Sequence, residues 1–396
     1  MNKQGLSVVK NTKGVIKSPS YLTSCTRGNN PSGNQCPGSQ LRRHTRFYTA
    51  VALTLNSLIL TFSTGVQAQF VPPGVPEVEL LEQLDVPLNN GIQGEDRNQA
   101  DFLMRLGGQA QAQGNYDKAI ANWLQALDIY QRIGDLEGEG VTYDYIGVTY
   151  AKMGRYRQAE DALRRRVGVA RSRRDFQGQI YGLNNLGTIL LESGSPESAQ
   201  ATFTEALTIA RSIQNKAGEG LSLSNLGLAA AAQGSYFEAI KRYQAALVLR
   251  RRADDSLGEA NTRNNLADAY RAVNLYRDAL ITYQGGLRVA QATRDIPNQF
   301  RALRGLVQSY SAMKQYPVAL KLLEQHKALA QTQANRREQL LSLRYAAQLY
   351  RATGNLVNAR ILYQEAIVLA NVLGETQEEA FLRDDLSQIT YSLPRL

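Results

Sequence analysis

The chain has 396 residues, with 45 Lys and Arg against 35 Asp and Glu, two Cys and two His. Eight of its ten excess positive charges precede the first acidic residue, Glu77, so the high isoelectric point belongs to the N-terminal segment and gives no reason to expect nucleic acid. Cys25 and Cys36 lie in the same segment, which leaves the remainder without disulfide or thiol chemistry and without a cysteine-based indication of compartment.

The N-terminal segment carries Lys3, Lys10, Lys13, Lys17, Arg27, Arg42, Arg43 and Arg46 and no carboxylate. An apolar run follows from Phe47 to Gly65, centred on Val51-Ala52-Leu53 and Leu58-Ile59-Leu60, and then Val66-Gln67-Ala68, small at the −3 and −1 positions of a cleavage site. A basic run, an apolar run and a small-residue site describe a leader at 1–68 containing a secretory signal. The expected address is therefore exported, in the periplasm. Two other readings stay open: an uncleaved membrane anchor through 47–65, and a two-part plastid leader directing the chain to the thylakoid lumen. Asn56 and Ser57 interrupt the apolar run and argue against a permanent span. Membrane contact is expected only through this leader, if it is retained.

Residues 69–96 read as a linker. Pro72-Pro73-Gly74-Val75-Pro76 excludes helix and Asn89-Asn90-Gly91 signals a turn, with room for a short helix at 77–84. Beyond it one pattern recurs every 40 residues, over seven copies between 97 and 379. Gly114 becomes Gly154, Gly194, Gly234, Asn274, Lys314 and Gly354, while Ala119 recurs as Ala159, Ala199, Ala239, Ala279, Ala319 and Ala359. A fixed period over many copies is the signature of a stacked repeat array. The third copy shows two apolar stripes at helical spacing, a helix A over 176–192 and a helix B over 196–212, around Gly194, which suits a left-handed helix end. Other helices A open near Leu136, Lys216 and Ser256. The invariant Ala is the small residue that lets helix B approach helix A. Four residues on stands a large plug, Trp123, Leu163, Phe203, Tyr243, Tyr283, Leu323 or Tyr363. A final helix over about 376–391 mixes Glu378, Glu379, Arg383, Asp384 and Asp385 with Phe381, Leu382, Leu386 and Ile389, as a half-polar lid on the last pair would. With the remaining C-terminal residues this cap occupies 380–396.

The motifs resemble those of the tetratricopeptide repeat family. The likeness rests on Leu106-Gly107, Leu186-Gly187 and Leu226-Gly227, on Tyr150, Tyr270, Tyr310 and Tyr350, and on the Ala-x-x-x-aromatic step. The period exceeds the common ~34 residues of that family and the Pro that closes its helix B is missing. Gly134-Asp135 with Gly138-Glu139, and Asn185-Leu186-Gly187, are similar to the longer-helix repeats of kinesin light chains and spindle-orientation adaptors. The resemblance implies an all-α, right-handed superhelical solenoid of seven helix pairs plus a C-terminal capping helix.

No catalytic constellation stands out. His326 is the one histidine beyond the leader and reads as a surface residue, and there is no HExxH, phosphate loop or nucleophile elbow. Gly138-Glu139-Gly140 and Gly218-Glu219-Gly220 recur at one repeat phase as turn and packing glycines. An enzyme is not expected, and no cofactor or metal site is assigned. The basic runs Arg164-Arg165-Arg166 and Arg250-Arg251-Arg252 lie on late turns of a helix B, where cations suit the helix dipole, and read as a solvated outer face; no nucleic acid is expected there.

The candidate site is the concave groove that the resemblance assigns to the helices A. Counting from the motif Leu, its groove-side positions hold Asn184, Asn185, Asn225, Asn264 and Asn265, and further along Arg271, Arg301, Arg304, Arg344 and Arg351. Asn donates to and accepts from an extended peptide backbone. The resemblance implies that Asn185, Asn225 and Asn265 hold a ligand's main chain, while the Arg select acidic groups. Arg105, Gly305 and Tyr345 break the Asn row, and Asp144, Glu192 and Asp268 also project into the groove. A second reading of the Asn is that they bond neighbouring helices and fix repeat geometry. The function expected is a non-catalytic scaffold for an extended, partly acidic peptide or partner segment, with self-association also open; the alternative is a sensor or regulatory subunit controlling a separate effector enzyme.

Overall fold

A computed structural model describes residues 94–392; the leader, its signal and the 77–84 helix lie outside the described residues. The described residues form fifteen helices and no strand. In order they are α1 (Glu95–Ala112), α2 (Tyr116–Ile133), α3 (Leu136–Lys152), α4 (Tyr156–Ser172), α5 (Phe176–Glu192), α6 (Pro196–Ser212), α7 (Lys216–Ala232), α8 (Tyr236–Arg252), α9 (Ser256–Ala272), α10 (Tyr276–Ala292), α11 (Ile296–Ala312), α12 (Tyr316–Thr332), α13 (Arg336–Ala352), α14 (Leu356–Leu373) and α15 (Thr376–Ser392). Odd-numbered helices up to α13 are helices A and even-numbered ones are helices B. Each packs on the next in the chain, and α15 closes on α14 through Leu382, Leu386 and Ile389.

Both turns of the unit repeat with the period. Within a repeat the left-handed position is Gly114, Gly154, Gly194, Gly234, Asn274, Lys314 or Gly354; between repeats it is Gly134, Arg174, Gln214, Asp254, Arg294, Ala334 or Gly374. Helices A are also started by a periodic cap. The side chains of Asp135, Asp175, Asn215, Asp255, Asp295 and Asn335 each accept a backbone N–H three residues on, satisfying a donor that the helix cannot pair itself.

The core is a series of plugs set against missing side chains. Every Ala of the invariant row is fully buried, as is the plug four residues after it in most repeats. A Cβ on Gly187 would lie 2.4 Å from Phe203, one on Gly107 2.1 Å from Trp123, and one on Gly227 2.5 Å from Tyr243. Helix A therefore carries Gly because the helix B ring occupies the place of its side chain. Successive helices A touch one another, whereas contact between successive helices B is marginal. The array thus curves with the helices A on its inner side.

Two predictions follow from this packing. Gly187→Ala is expected to destabilise the fold by about 1–3 kcal/mol through overpacking against Phe203, read as a lower urea midpoint. Ala334→Gly is expected to raise that midpoint, by roughly 0.5–1 kcal/mol, because Ala334 holds φ 50°, a left-handed conformation in which a Cβ is strained.

Candidate functional site

The inner helices are joined by a chain of polar contacts that runs from one helix A to the next. Asn185 donates to Asp144 of α3 at 3.4 Å. Asn184 donates to Ser222 of α7 at 3.0 Å, and Asn225 of α7 donates back to Asn184 at 2.9 Å. Ser224 meets Thr262 of α9 at 3.1 Å, and Asn264 donates to Asn298 of α11 at 2.9 Å. Arg301 of α11 reaches back to Asn261, Asn265 and Asp268 at 2.9, 2.5 and 2.7 Å. From there the seam becomes ionic: Arg304 pairs with Glu338 of α13 at 2.5 Å, Arg344 with Glu378 of α15 at 2.9 Å, and Arg351 with Asp385 at 2.8 Å. Arg271 lies 3.6 Å from Asp268.

The sequence-derived residues therefore lie together along the inner helices, but with an occupation that spacing did not show. Asn184, Asn185, Asn225, Asn264 and Asn265 are all buried. Buried positions on the helices A are thus not confined to apolar or small residues, and polar side chains join one repeat to the next, which is the second of the two readings of the Asn. Their hydrogen bonding is nonetheless incomplete, since Asn261 Nδ2 and Asn265 Nδ2 are buried without a hydrogen-bond partner. The Arg are each matched by a carboxylate, mostly of the following repeat.

Between α3, α4 and α5 lies a polar cavity of about 280 Å³, lined among others by Asn185, Tyr181, Asp144, Arg166 and Arg173. Arg166 pairs with Asp144 at 2.6 Å, both buried. Burial pushes the Asp144 carboxyl up, and Arg166 and Asn185 offset this only in part. At Asp268 burial works the same way, but Arg301 and Arg271 outweigh it and the carboxyl stays below its usual range. Glu192, at the end of α5, has no ion-pair partner among the described residues, and burial alone raises it from 4.5 to about 7.

Three residues depart from their expected place. His326 is fully buried rather than on the surface, bonded through Nδ1 to Ser342 at 2.7 Å and close to Glu338 through Nε2 at 3.1 Å. Arg166 and Arg250, read as part of a solvated outer face, are buried too; Arg250 pairs with Asp255 at 2.5 Å. The repeat phase carries the missed signal. Arg166 and His326 occupy one row, filled elsewhere by Ala126, Ala206, Ala246, Gly286 and Ala366, and Arg250 occupies the row of Tyr130, Ala170, Ala210, Ala290, Ala330 and Ala370, small in all but the first repeat. A polar residue in a row of small buried ones is a buried polar residue, and it needs a partner. Arg164 and Arg165 do lie outside, paired with Glu160 and Asp161 on their own helix.

Tetratricopeptide repeat family models match residues 98–172, 180–213 and 218–292. Residues 98–292 hold tetratricopeptide repeats. No curated protein matches its sequence. Among solved structures it is similar to a Pyrococcus horikoshii signal transduction ATPase with numerous domains that has a tetratricopeptide repeat sensor, at 16% identity and TM-score 0.55, covering 78% of this chain and 46% of that one. It is also similar to the apo form of RapI, at 15% identity and TM-score 0.51 over 70% and 99% of the two chains. A third is the Rap conjugation gene regulator of plasmid pLS20 in complex with the Phr* peptide, at 17% identity and TM-score 0.51 over 76% and 85%. At these identities the likeness is one of fold. The repeats of this chain combine the Ala-to-plug step with a buried Asn and Arg seam along the helices A.

The folded state keeps the Glu192 proton up to about pH 7, whereas an ordinary glutamate releases it near 4.5. Between those values the folded chain binds more protons, so this group's stabilising contribution is full below the window and falls as pH rises through it. Glu192→Gln is expected to match wild type in thermal denaturation below that window and to melt higher above it.

Proposed function

We propose that the chain is a protein-interaction scaffold or regulator that takes an extended peptide, or a partner's extended segment, against the inner face of its helices A. The observation that carries this reading is the polar cavity beside Asn185, where Tyr181, Arg166 and Arg173 converge next to a continuous polar seam. A main chain laid along that seam passes over the buried Asn184, Asn185, Asn225, Asn264 and Asn265 in turn and bonds to them only by exchange with their partners on neighbouring helices. The amide donors of Asn261 and Asn265 are buried without a partner, at a cost of about 1–3 kcal/mol each, so a ligand carbonyl recovers that cost only where the inner helices part to admit it. Beyond the Asn, ligand carboxylates exchange with the chain's own acids at Arg271, Arg301, Arg304, Arg344 and Arg351. The recognition of acidic groups is then a competition with Asp268, Glu338, Glu378 and Asp385 rather than the filling of free cationic sites. A Rap regulator of the same fold described with a bound peptide supports the peptide reading, and a repeat sensor within a signal transduction ATPase supports the alternative of a sensor acting on a separate effector. An exported location belongs to the proposal and rests on the leader sequence alone.

Affinity capture from native membrane and soluble extracts tests it, comparing wild type with Tyr181→Ala and with Arg304→Gln/Arg344→Gln/Arg351→Gln, each matched to wild type by circular dichroism. Loss of the same partners from both variants is the expected result. Loss from Tyr181→Ala alone removes the acidic selection and keeps the peptide site. An unchanged set of partners rejects the inner face as the site.

A further inference from the structure

A groove opens on the outer side of the array, between the helices B of the first two repeats. Leu124 and Leu127 of α2 face Ala162 of α4 across it, Tyr143, Ile146 and Tyr150 of α3 form its floor, and it encloses about 540 Å³. Leu124 carries the apolar character out to the surface, since it is 47% exposed while the floor beneath it belongs to the buried core. The same position holds Arg164, Thr204, Gln244, Gln284, Glu324 and Gln364 in the later repeats, so an apolar residue stands there only in the first. A scattered exposed Leu needs no explanation, but one that continues a buried apolar floor into solvent marks a contact surface. Arg157 and Arg165 line the α4 side of the groove. Arg165 pairs with Asp161 at 2.9 Å, and Arg157 has no ion-pair partner among the described residues.

The chain carries a segment whose chemistry matches this groove. Glu77 to Leu88, outside the described residues, holds Val78, Leu80, Leu81, Leu84, Val86 and Leu88 together with Glu77, Glu79, Glu82 and Asp85, and no Lys or Arg. At about 100° per residue Leu80, Leu81 and Leu84 share one side of a helix, while Glu79, Glu82 and Asp85 fall outside that stripe. An apolar stripe with acidic flanks complements an apolar groove whose rim carries two Arg and one Asp. The connection also reaches. Arg97, in the first turn of α1, pairs with Asp135, the cap of α3, at 3.3 Å, so α1 begins beside the start of the helix that floors the groove. Tyr143 lies eight residues beyond that cap, about 12 Å along α3, and the six residues from Asn89 to Gly94 span up to roughly 20 Å. Helix α2 ends at this same end of the array, so the link passes its terminus without crossing it. So short a link holds the segment at an effective concentration of about millimolar, an advantage that a free partner lacks.

We propose that residues 77–88 dock in the outer groove between α2 and α4 of their own chain, with the Leu stripe on Leu124 and the acids toward Arg157 and Arg165. The segment follows position 68, so it is present whether or not the leader is removed. The groove faces away from the inner helices, and the proposal is independent of what they bind.

Photo-crosslinking of the purified chain tests it, with p-benzoylphenylalanine placed at Leu124 and the crosslinked peptides mapped by mass spectrometry. The expected result is a crosslink to 77–88 within one chain, with the mobility of a monomer and a yield independent of protein concentration. Leu81→Asp/Leu84→Asp should lower that yield several-fold with unchanged circular dichroism. Arg157→Glu/Arg165→Glu should lower it too, more at low salt than at high salt, because exposed charges are screened. A crosslink to 77–88 of another chain overturns the proposal and assigns the groove to a second copy. Absence of any crosslink to 77–88 overturns it as well and leaves the groove to a different protein. A yield that the Leu substitutions do not change overturns it, since tethering alone then brings the segment near. A yield that the Arg substitutions do not change rejects the placement of the acids toward those Arg.

Discussion

The close approach of helix B to helix A is the constraint on which the array depends. It exists because a ring or Leu on helix B enters the space of an absent side chain on helix A, as Phe203 does over Gly187 and Tyr243 over Gly227. The fully buried Ala row lets the two backbones come near enough for this to happen. A small residue on one side demands a large one on the other, because protein interiors leave little void. Only then does stacking the unit bury a continuous core, since each pair covers the apolar face of its neighbour.

That packing leaves the polar groups of the inner helices facing the next inner helix. The contacts from Asp144 and Asn185 through Asn184, Asn225, Ser224, Asn264 and Arg301 to Arg304 and Arg344 are the consequence. Buried polar groups left unpaired are costly, so this seam fixes how successive repeats sit on each other as well as lining their inner side. Its character changes along the array, with amides and hydroxyls dominating from α5 to α9 and Arg–carboxylate pairs beyond α11. The same seam is therefore neutral and amide-rich in one region and ionic in another.

Much of this was legible without coordinates. The period located Phe176–Glu192 and Pro196–Ser212, and the starts at Leu136, Lys216 and Ser256, because a repeated unit is read several times over and errors in one copy are corrected by the others. The phase of Arg166, Arg250 and His326 was just as readable, since each stands in a row that is otherwise small or, at Tyr130, buried, and that phase outweighs the charge of the local run. The Asn and Arg were located on the inner helices by the family pattern, and bonding of the Asn to neighbouring helices stood there as the second reading, but the particular partners did not.

The sequence by itself determined the unit: its length, its two helices, its turns and its close-packed rows, all of which are set by contacts within 40 residues. Tertiary structure decided the rest. Whether Asn225 faces a groove or Asn184, and whether Arg344 is free or held by Glu378, depends on how far one repeat is rotated and raised over the next. That displacement is the summed outcome of many small packing contacts between repeats, and no single residue spacing encodes it. Leu124 lies between the two cases: it stands out in the sequence from an otherwise polar row, but only the stacked helices show that it borders an apolar groove.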